Sequence, residues 1–295
     1  MRKFIVSDLH GNGNIYDSIM AYLDNISKEE DVILYINGDL IDRGEDSLRM
    51  LIDVKNRVLY NNSFKIEYLG GNHELMMYQT FNINNTREEF IKHLYNWLKN
   101  GGDITEDDFK QIESMDDKKE ILRFISNLKI YKKFDEKIND KNIVLVHAKC
   151  PNEVFDECTL KIKDNTELVT DLVWTRKINY KTGKRNYIGN NDYFTIVGHT
   201  PVNDIYGFEY YNNENVLNID GGCAAYAKGF KDYNHTPLVE IDSKNNRLII
   251  LTFNNDNKIE YGNYFYQGKT IPMNEDILEY FRRYLNSDIK IKKIL

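Results

Sequence analysis

The stretch Gly38-Asp39-Leu40-Ile41-Asp42-Arg43-Gly44 decides the fold of this chain. It directly follows the apolar run Val32-Ile33-Leu34-Tyr35-Ile36, which is typical of a buried strand. In open α/β sheets, functional sites are built in the loops at the carboxyl ends of strands. Asp39 should therefore leave a strand tip and point toward such a site. Taken alone, the stretch fits equally well with a surface connection in which Asp42 pairs with Arg43, because charged loop tips are common.

A strand, a turn and a helix follow one another three times in the first part of the chain. Apolar runs predict strands at residues 3–7, 32–36 and 64–69. Apolar residues at helical spacing predict a helix over residues 14–26 and another from about residue 47. This repetition predicts an α/β fold with a mainly parallel sheet around the first strands.

Residues 82–135 interrupt this rhythm with three predicted helices, at residues 88–98, 106–115 and 117–127. We interpret the segment as a helical insert within one domain, because a strand resumes at residues 142–146 without a linker-like composition. The insert is either a lid over the site or a packing subdomain without substrate contact, and the sequence favours neither.

The second half of the chain is predicted to return to the sheet after a loop-rich stretch that runs from His147 to residue 191. Strands are predicted at residues 193–197 and 216–219, a hairpin at 238–241 and 248–252, and a helix at 274–285. We therefore predict a catalytic domain over residues 1–253 and a C-terminal extension over residues 254–295 that packs on it.

Composition limits the possible classes of protein. The chain has 295 residues, of which 41% are hydrophobic and 13% aromatic, so it can bury a sizeable core. Its net charge of -7 argues against a partner held by bulk positive charge, such as a nucleic acid or an anionic membrane. No apolar run is long enough for a membrane span, and the apolar stretch near Met1 is too short for a signal peptide.

The cysteines indicate a reducing compartment. Cys150, Cys158 and Cys223 make an odd count and include no Cys-x-x-Cys pair. We expect buried thiols without a structural disulfide, and hence a cytoplasmic protein. The sequence leaves the oligomeric state open.

Polar groups follow the predicted strands at their carboxyl ends. They are Asp8, His10, Asp39, Asp42, Asn72, His73, His147 and His199. A mixture of carboxylates and imidazoles suits manganese, iron or zinc better than calcium. Individually these residues are weak signals, since Asp8 could cap the next helix and His147 could be an ordinary buried histidine. The other two histidines are expected to pack on a helix, for His93, and to lie in a surface loop, for His235.

The strand-end residues belong to short motifs that follow one another along the chain. These segments are Asp8-Leu9-His10-Gly11, Gly38 to Gly44, Gly71-Asn72-His73-Glu74, Asn100-Gly101-Gly102, His147, Trp174-Thr175-Arg176 and Gly198-His199-Thr200. Their order resembles the signature of calcineurin-like metallophosphoesterases. The Asp-Arg-Gly and Asn-His-Glu forms resemble the PPP-type serine/threonine phosphatases, and the bacterial and bacteriophage lambda branch is the nearest likeness. Ser7 departs from the PPP pattern, which has glycine there. The resemblance covers residues 7 to about 222 and implies an α/β/β/α sandwich of two mixed sheets flanked by helices.

The resemblance also implies two divalent metal ions. Asp8, His10 and Asp39 would hold one ion, and Asp39 would bridge to the other. The second ion would be held by Asp39, Asn72, His147 and His199. Mn²⁺ is favoured, and Fe, Zn or Ni are alternatives. Two such ions can lower the pKa of a shared water, so that a bridging hydroxide attacks the phosphorus directly.

Further roles follow from the same resemblance. Arg43 and Arg176 would bind phosphate oxygens through their planar forks, and Asn72 would also contact the phosphate. His73, oriented by Asp42, would protonate the leaving oxygen. These roles define a phosphatase that acts on phosphomonoesters, with phosphoserine or phosphothreonine in proteins as the favoured substrate.

Two other functions remain open on the sequence. One is a nucleotide phosphoesterase on the same scaffold, such as a dinucleoside tetraphosphate hydrolase or a phosphodiesterase, since fold and metals do not separate these activities. The other is a non-catalytic protein that uses the scaffold to bind a partner. The complete ligand set argues against the second.

Overall fold

A computed structural model describes residues 1–60, 63–155, 159–178, 185–186, 189–202, 204–227, 229 and 235–285. Cys158, one of the three predicted thiols, lies outside these residues. Cys150 and Cys223 are described, and both are buried free thiols. Within the described part of the chain, no helix combines the length and apolar character needed to cross a bilayer.

The first part of the chain confirms the predicted alternation of strands and helices. Its elements are β1 (Arg2–Val6), α1 (Gly13–Ser27), β2 (Val32–Asn37), α2 (Ser47–Tyr60) and β3 (Lys65–Leu69). The strands β1, β2 and β3 are parallel neighbours, in a register that pairs Val6 with Ile36 and Asn37 with Leu69. Because parallel strands share a direction, the loops that follow them emerge at one edge of the sheet.

The insert contains the predicted helices but ends earlier than expected. The helix α3 (Asn72–Thr80) follows β3 and precedes the insert. The helices of the insert are α4 (Arg87–Lys99), α5 (Asp103–Gln111) and α6 (Met115–Ser126). The next element is the strand β4 (Tyr131–Ile138), which starts inside the segment predicted as insert. A register shift between Lys133 and Lys137 interrupts the pairing of β4 with its neighbour, so the period-two pattern that would reveal a strand is broken.

The second half builds most of a second sheet and completes the first. In order it contains β5 (Lys141–Val146), α7 (Thr166–Trp174), β6 (Lys177–Ile178), β7 (Arg185–Asn186), β8 (Tyr193–Val197), β9 (Glu209–Tyr211), β10 (Val216–Asn218), α8 (Cys223–Ala227), β11 (Thr236–Asp242), β12 (Arg247–Asn254), β13 (Lys258–Tyr266), β14 (Lys269–Pro272) and α9 (Glu275–Arg282). The helix α7 lies within the stretch predicted to be rich in loops. Asn165 begins it by accepting a hydrogen bond from the Leu168 N–H.

The strands form two mixed sheets, as predicted. One has seven strands in the order β14-β13-β12-β11-β1-β2-β3, and the other has five in the order β4-β5-β8-β10-β9, while β6 and β7 pair separately. The strands β13 and β14, which were not predicted, continue the first sheet beyond residue 253. The predicted C-terminal helix is confirmed as α9, with Asn274 as its N-cap. The division of the chain at residue 253 stays a prediction.

Two buried clusters hold the layers together. The strand β1 contributes to both, because Phe4 and Val6 lie in one cluster and Ile5 lies in the other. The second cluster joins apolar residues from both sheets, among them Ile33, Leu145 and Ile196, so the sheets face each other. The fold is therefore a sandwich of two sheets flanked by helices, and polar loops gather where its parallel strands end.

Candidate metal centre

The polar loops at the strand ends adopt an unusual backbone conformation. Six of their residues have φ between 44° and 74°, in the left-handed region that most side chains avoid. These residues are Asp8, His10, Asp39, Asp42, Arg43 and His199. Such backbone persists only where the surrounding structure holds it in place, and it is concentrated at functional sites.

Backbone hydrogen bonds join the first two loops. The N–H of Asp8 donates to the carbonyl of Gly38 over 3.2 Å, and the N–H of His10 donates to the carbonyl of Asp39 over 2.9 Å. The two loops thus continue side by side beyond β1 and β2. This pairing brings side chains about thirty residues apart in the sequence into one buried site.

Glu74 holds the second and third loops together. Its buried carboxylate accepts the backbone N–H groups of Asp39, Leu40 and Gly71, over 2.9, 3.0 and 2.8 Å respectively. Burial, followed by the charge of Asp39, raises the pKa of Glu74 above its usual value. In the sequence, Glu74 stands out only as the end of Gly71-Asn72-His73-Glu74, whereas the structure shows it supporting the loops that carry the predicted ligands Asp39 and Asn72.

Replacing Glu74 with glutamine should lower the stability of the protein. An amide NH₂ cannot accept a hydrogen bond, so at least one buried N–H would lose its partner, and we expect a loss of about 2 to 3 kcal/mol in the free energy of unfolding. Urea unfolding followed by circular dichroism measures this loss. Glu88→Gln on an exposed position of α4 is the matched control, and an equal change in both variants would contradict the structural role of Glu74.

Three histidines present one ring nitrogen each to the site. His10 and His147 donate through Nδ1 to backbone carbonyls over 3.1 and 2.8 Å, which leaves their Nε2 atoms facing inward. His199 donates through Nε2 over 3.2 Å, and its buried Nδ1 has no hydrogen-bond partner in the part of the chain that the structure describes. The carbonyl acceptors belong to Ile41, Asn37 and Trp174 respectively. Fixing one nitrogen of a histidine in this way is how proteins orient the other toward a metal.

Asp39 connects two groups of donor atoms. Its Oδ2 lies 3.5 Å from His10 Nε2 and 3.8 Å from His73 Nε2, while its Oδ1 lies 3.3 Å from His147 Nε2. Two groups of three residues could each hold a metal ion, because the ligand atoms that the three residues offer all lie within 4.8 Å of one another. The groups are His10, Asp39 and His73, and Asp39, His147 and His199. Asp39 is thus placed to bridge, with one oxygen toward each group.

The remaining predicted ligands adjoin these groups. Asn72 Oδ1 lies 3.1 Å from His147 Nε2, which suits two ligands of one ion. The buried carboxylate of Asp8 accepts the backbone N–H of His199 over 3.0 Å and the hydroxyl of Ser7, and it belongs to neither donor group. His73 joins a donor group although it was predicted to be a proton donor. The ligand assignments stay predictions.

Electrostatics prepares two of these histidines for metal binding. Burial, together with nearby positive groups, holds the pKa of His10 and of His199 well below the usual range, so both rings are neutral. For His147, burial opposes protonation, but Asp39 and Asp8 raise its pKa to about 10. A neutral imidazole is the form that binds a metal, and two buried carboxylates favour a cation here. The unpartnered Nδ1 of His199 and this donor set therefore fit a pair of divalent ions.

The predicted proton donor and its partner are in contact. His73 Nδ1 donates to Asp42 Oδ2 over 2.6 Å, and both side chains are fully buried. Arg43 lies beside them and donates to His73 Nε2 and to His10 Nε2, each over 2.9 Å. The structure thus brings three residues of the Asp-Arg-Gly and Asn-His-Glu motifs together with the first donor group.

Arg176 lies between α7 and β6 and contacts the turn that follows β8. Its exposed side chain donates through Nε to the Thr200 hydroxyl over 3.1 Å and through Nη2 to the carbonyl of His199. Arg176 and Arg43 therefore both lie next to predicted ligands. His93 and His235 belong to neither donor group. His235 Nε2 lies 3.3 Å from Glu260 Oε2.

The insert supplies contacts that the sequence analysis missed. Arg43 donates through its backbone N–H to the carbonyl of Gly101 over 2.8 Å, and through Nε to the carbonyl of Asn100 over 3.2 Å. Trp97 and Thr105 both contact Asp42. The Asn-Gly-Gly motif was the available signal, because the Cα of Gly101 lies so close to Arg43 that an added Cβ would fall 2.8 Å from its Cγ.

This geometry defines a class of protein. Two neighbouring buried donor groups that share one carboxylate, with arginines beside them, are suited to metal-assisted hydrolysis of a phosphoester. Residues 1–231 match the family model described as calcineurin-like phosphoesterase, so the chain belongs to this family of metal-dependent phosphoesterases. Members of the family use a dimetal centre.

The chain is similar to several solved structures, one of which, a serine/threonine phosphatase, supports the fold. A protein serine/threonine phosphatase from Saccharomyces cerevisiae with similarity to human phosphatase PP5 is 16% identical, with a TM-score of 0.52, over 86% of this chain and 80% of that one. A cold-active protein-tyrosine phosphatase of a psychrophilic Shewanella species is 16% identical, with a TM-score of 0.47, over 92% and 80%. A putative diadenosine tetraphosphatase is 13% identical, with a TM-score of 0.44, over 92% of each chain. No curated protein matches the sequence.

Proposed function

We propose that this phosphoesterase is a phosphatase that hydrolyses phosphomonoesters, and that phosphoserine or phosphothreonine in proteins is its preferred substrate. The contact between His73 and Asp42 beside Arg43 carries the proposal, because a monoester with a poor leaving group needs both a proton donor and a phosphate clamp. Asp8, His10 and Asp39 would hold one ion, and Asp39, Asn72, His147 and His199 the other. When bound, the two ions would activate water and neutralise charge on the phosphate.

The arginines would bind the phosphate. Each guanidinium offers two parallel N–H groups that match two phosphate oxygens. In this structure the Nη atoms of Arg43 donate to His73 and His10. Turning this fork toward a phosphate would free His73 Nε2, the atom that must carry the proton for the leaving oxygen. Arg176, exposed at the rim, would bind further oxygens of the same group.

His73 would act as the general acid. The Asp42 carboxylate accepts the Nδ1–H, which fixes the orientation of the ring. Nε2 then faces the site and can donate its proton to the serine or threonine oxygen as the P–O bond breaks. Such donation matters most for an alkoxide, because an alkoxide is a far poorer leaving group than p-nitrophenolate.

We further propose Mn²⁺ as the metal, with Fe, Zn or Ni as alternatives, because these ions accept a mixture of carboxylate, amide and imidazole ligands. Chelation followed by addition of each metal tests this choice. Mn²⁺ should restore the highest kcat, and restoration only by another metal would contradict it.

A substrate panel tests the function. The assay is run with added Mn²⁺. The kcat/KM for p-nitrophenyl phosphate and for a phosphoserine peptide should be at least about tenfold higher than the kcat/KM for bis-p-nitrophenyl phosphate and for a dinucleoside tetraphosphate. The loss of one polar contact is enough to give discrimination of this size. A preference for the bis-ester or the dinucleotide would instead indicate a phosphodiesterase or a nucleotide hydrolase. Bound metal without turnover on any of the four would indicate a binding protein.

A further inference from the structure

The helical insert touches the His73 and Asp42 pair directly. Trp97 Nε1 donates a hydrogen bond to Asp42 Oδ2 over 2.7 Å, and His73 Nδ1 bonds to the same oxygen. All three side chains are fully buried. The other oxygen, Asp42 Oδ1, is buried and has no hydrogen-bond partner among the described residues. The orientation of this carboxylate therefore depends on the two groups that share Oδ2.

We infer that Trp97 is a positioning residue for the proton transfer. Its indole N–H fixes the Asp42 carboxylate, and this carboxylate in turn sets the His73 ring with Nε2 facing the leaving oxygen. The inference rests on the proposed function, in which His73 protonates that oxygen. It assigns the insert a role that is neither a lid nor simple packing.

The residues around Trp97 keep its indole next to Asp42. Gly102 lies against the ring, since an added Cβ would fall 2.3 Å from Trp97 Nε1. Thr105 Oγ1 accepts the backbone N–H of Asp42 over 3.2 Å, so the insert binds the main chain of this residue as well as its side chain. The insert thus contacts Asp42 through both Trp97 and Thr105. A shift of Trp97 would therefore move the Asp42 carboxylate.

Trp97→Phe tests the inference, because it removes the N–H and keeps an aromatic ring. The kcat on a phosphoserine peptide should fall about tenfold or more, since a hydrogen bond to a charged group is lost and general acid catalysis weakens. The kcat on p-nitrophenyl phosphate should fall less than about threefold, because this leaving group needs little protonation. KM should change less than about twofold on both, since Trp97 does not contact the phosphate.

Phe81→Leu is the matched control. Phe81 packs edge-on against the Trp97 indole at 5.8 Å and has no polar atom for Asp42. This variant loosens the same packing while leaving the N–H in place. Any loss of kcat in Phe81→Leu should be equal for the two substrates. A difference between substrates as large as that of Trp97→Phe would overturn the inference.

A double-mutant cycle tests whether the effect of Trp97→Phe on peptide turnover depends on Asp42, which a purely structural role of Trp97 would not require. If Trp97 acts through Asp42, then Trp97→Phe should lower peptide turnover by less than about twofold in an Asp42→Asn background. An undiminished loss in that background, or an equal loss on both substrates in the wild-type background, would overturn the inference. A wild-type enzyme inactive on both substrates would defeat the proposed function instead.

Gly102→Ala keeps the test available if Trp97→Phe does not fold. The added methyl group would push the indole away from Asp42 without altering Trp97 itself. The same pattern is expected, with a loss of about tenfold or more on the peptide and a smaller loss on p-nitrophenyl phosphate. Equal losses on the two substrates would contradict the inference here as well.

Discussion

His73→Asn is expected to leave both metals bound and to lower kcat on a phosphoserine peptide by about 10²- to 10⁴-fold, the usual contribution of a general acid. Asparagine is neutral and cannot deliver a proton to an alkoxide. The loss on p-nitrophenyl phosphate should be much smaller, because its leaving group is stable without protonation. The contact of His73 with Asp42 at 2.6 Å is the reason to expect this selectivity.

The same variant separates two possible roles of His73. Its Nε2 lies 3.8 Å from Asp39 Oδ2, so the ring could also serve as a metal ligand. Elemental analysis of the purified variant distinguishes these roles, since a ligand substitution would lower the metal content. His93→Asn on α4 is the matched control and should change neither metal content nor turnover. Unchanged peptide turnover in His73→Asn would remove this residue from the mechanism.

Asp39→Asn is expected to lower both the metal content and the turnover. Both oxygens of Asp39 face donor groups, and the amide would offer only one neutral oxygen. We therefore expect the metal content to fall from two ions to less than one per chain. Because the ions contribute several kcal/mol of charge stabilisation, kcat should fall by about a thousandfold or more.

Charge neutralisation adds to this effect. Burial opposes ionisation of Asp39, but His147 and then His73 hold its pKa well below the usual range, so the residue is a carboxylate at neutral pH. Removing this charge takes away the carboxylate that does most to raise the pKa of His147. Asp17→Asn, at an exposed pair with Arg49, is the matched control and should retain metal and turnover. Retention of two ions by Asp39→Asn would refute the bridging role.

Much of the site could be predicted because its signals are local. Each predicted ligand follows an apolar run, and parallel strands must end at one edge of a sheet. The sequence thus located Asp8, Asp39 and His147 without any knowledge of their contacts. The pairing of β1 with β2 then brings Asp8 and Asp39 together. His147 follows β5 in the other sheet, and its Nδ1 reaches the carbonyl of Asn37 at the end of β2.

The unpredicted parts depend on contacts between distant segments. Trp97 falls in the helix predicted at residues 88–98, and only the fold places its N–H against Asp42. Glu74 likewise acts through backbone groups that no side-chain pattern reveals. The strand β4 lacks a recognisable strand pattern in the sequence because it contains charged residues and a register shift. The strand β13 is stabilised by its pairing with β12. Long-range pairing of this kind overrides local propensity.

The left-handed backbone of the strand-end loops restricts the amino acids that evolution can place there. Among residues with side chains, asparagine, aspartate and histidine tolerate this conformation best, and glycine offers no donor atom. At Asp8 and Asp39, with φ of 56° and 51°, glutamate or cysteine would meet an unfavourable main chain before its donor atom reached an ion. Replacing the carboxylate and imidazole ligands with cysteine thiolates would therefore require a change in the backbone conformation of the loops as well as in the side chains.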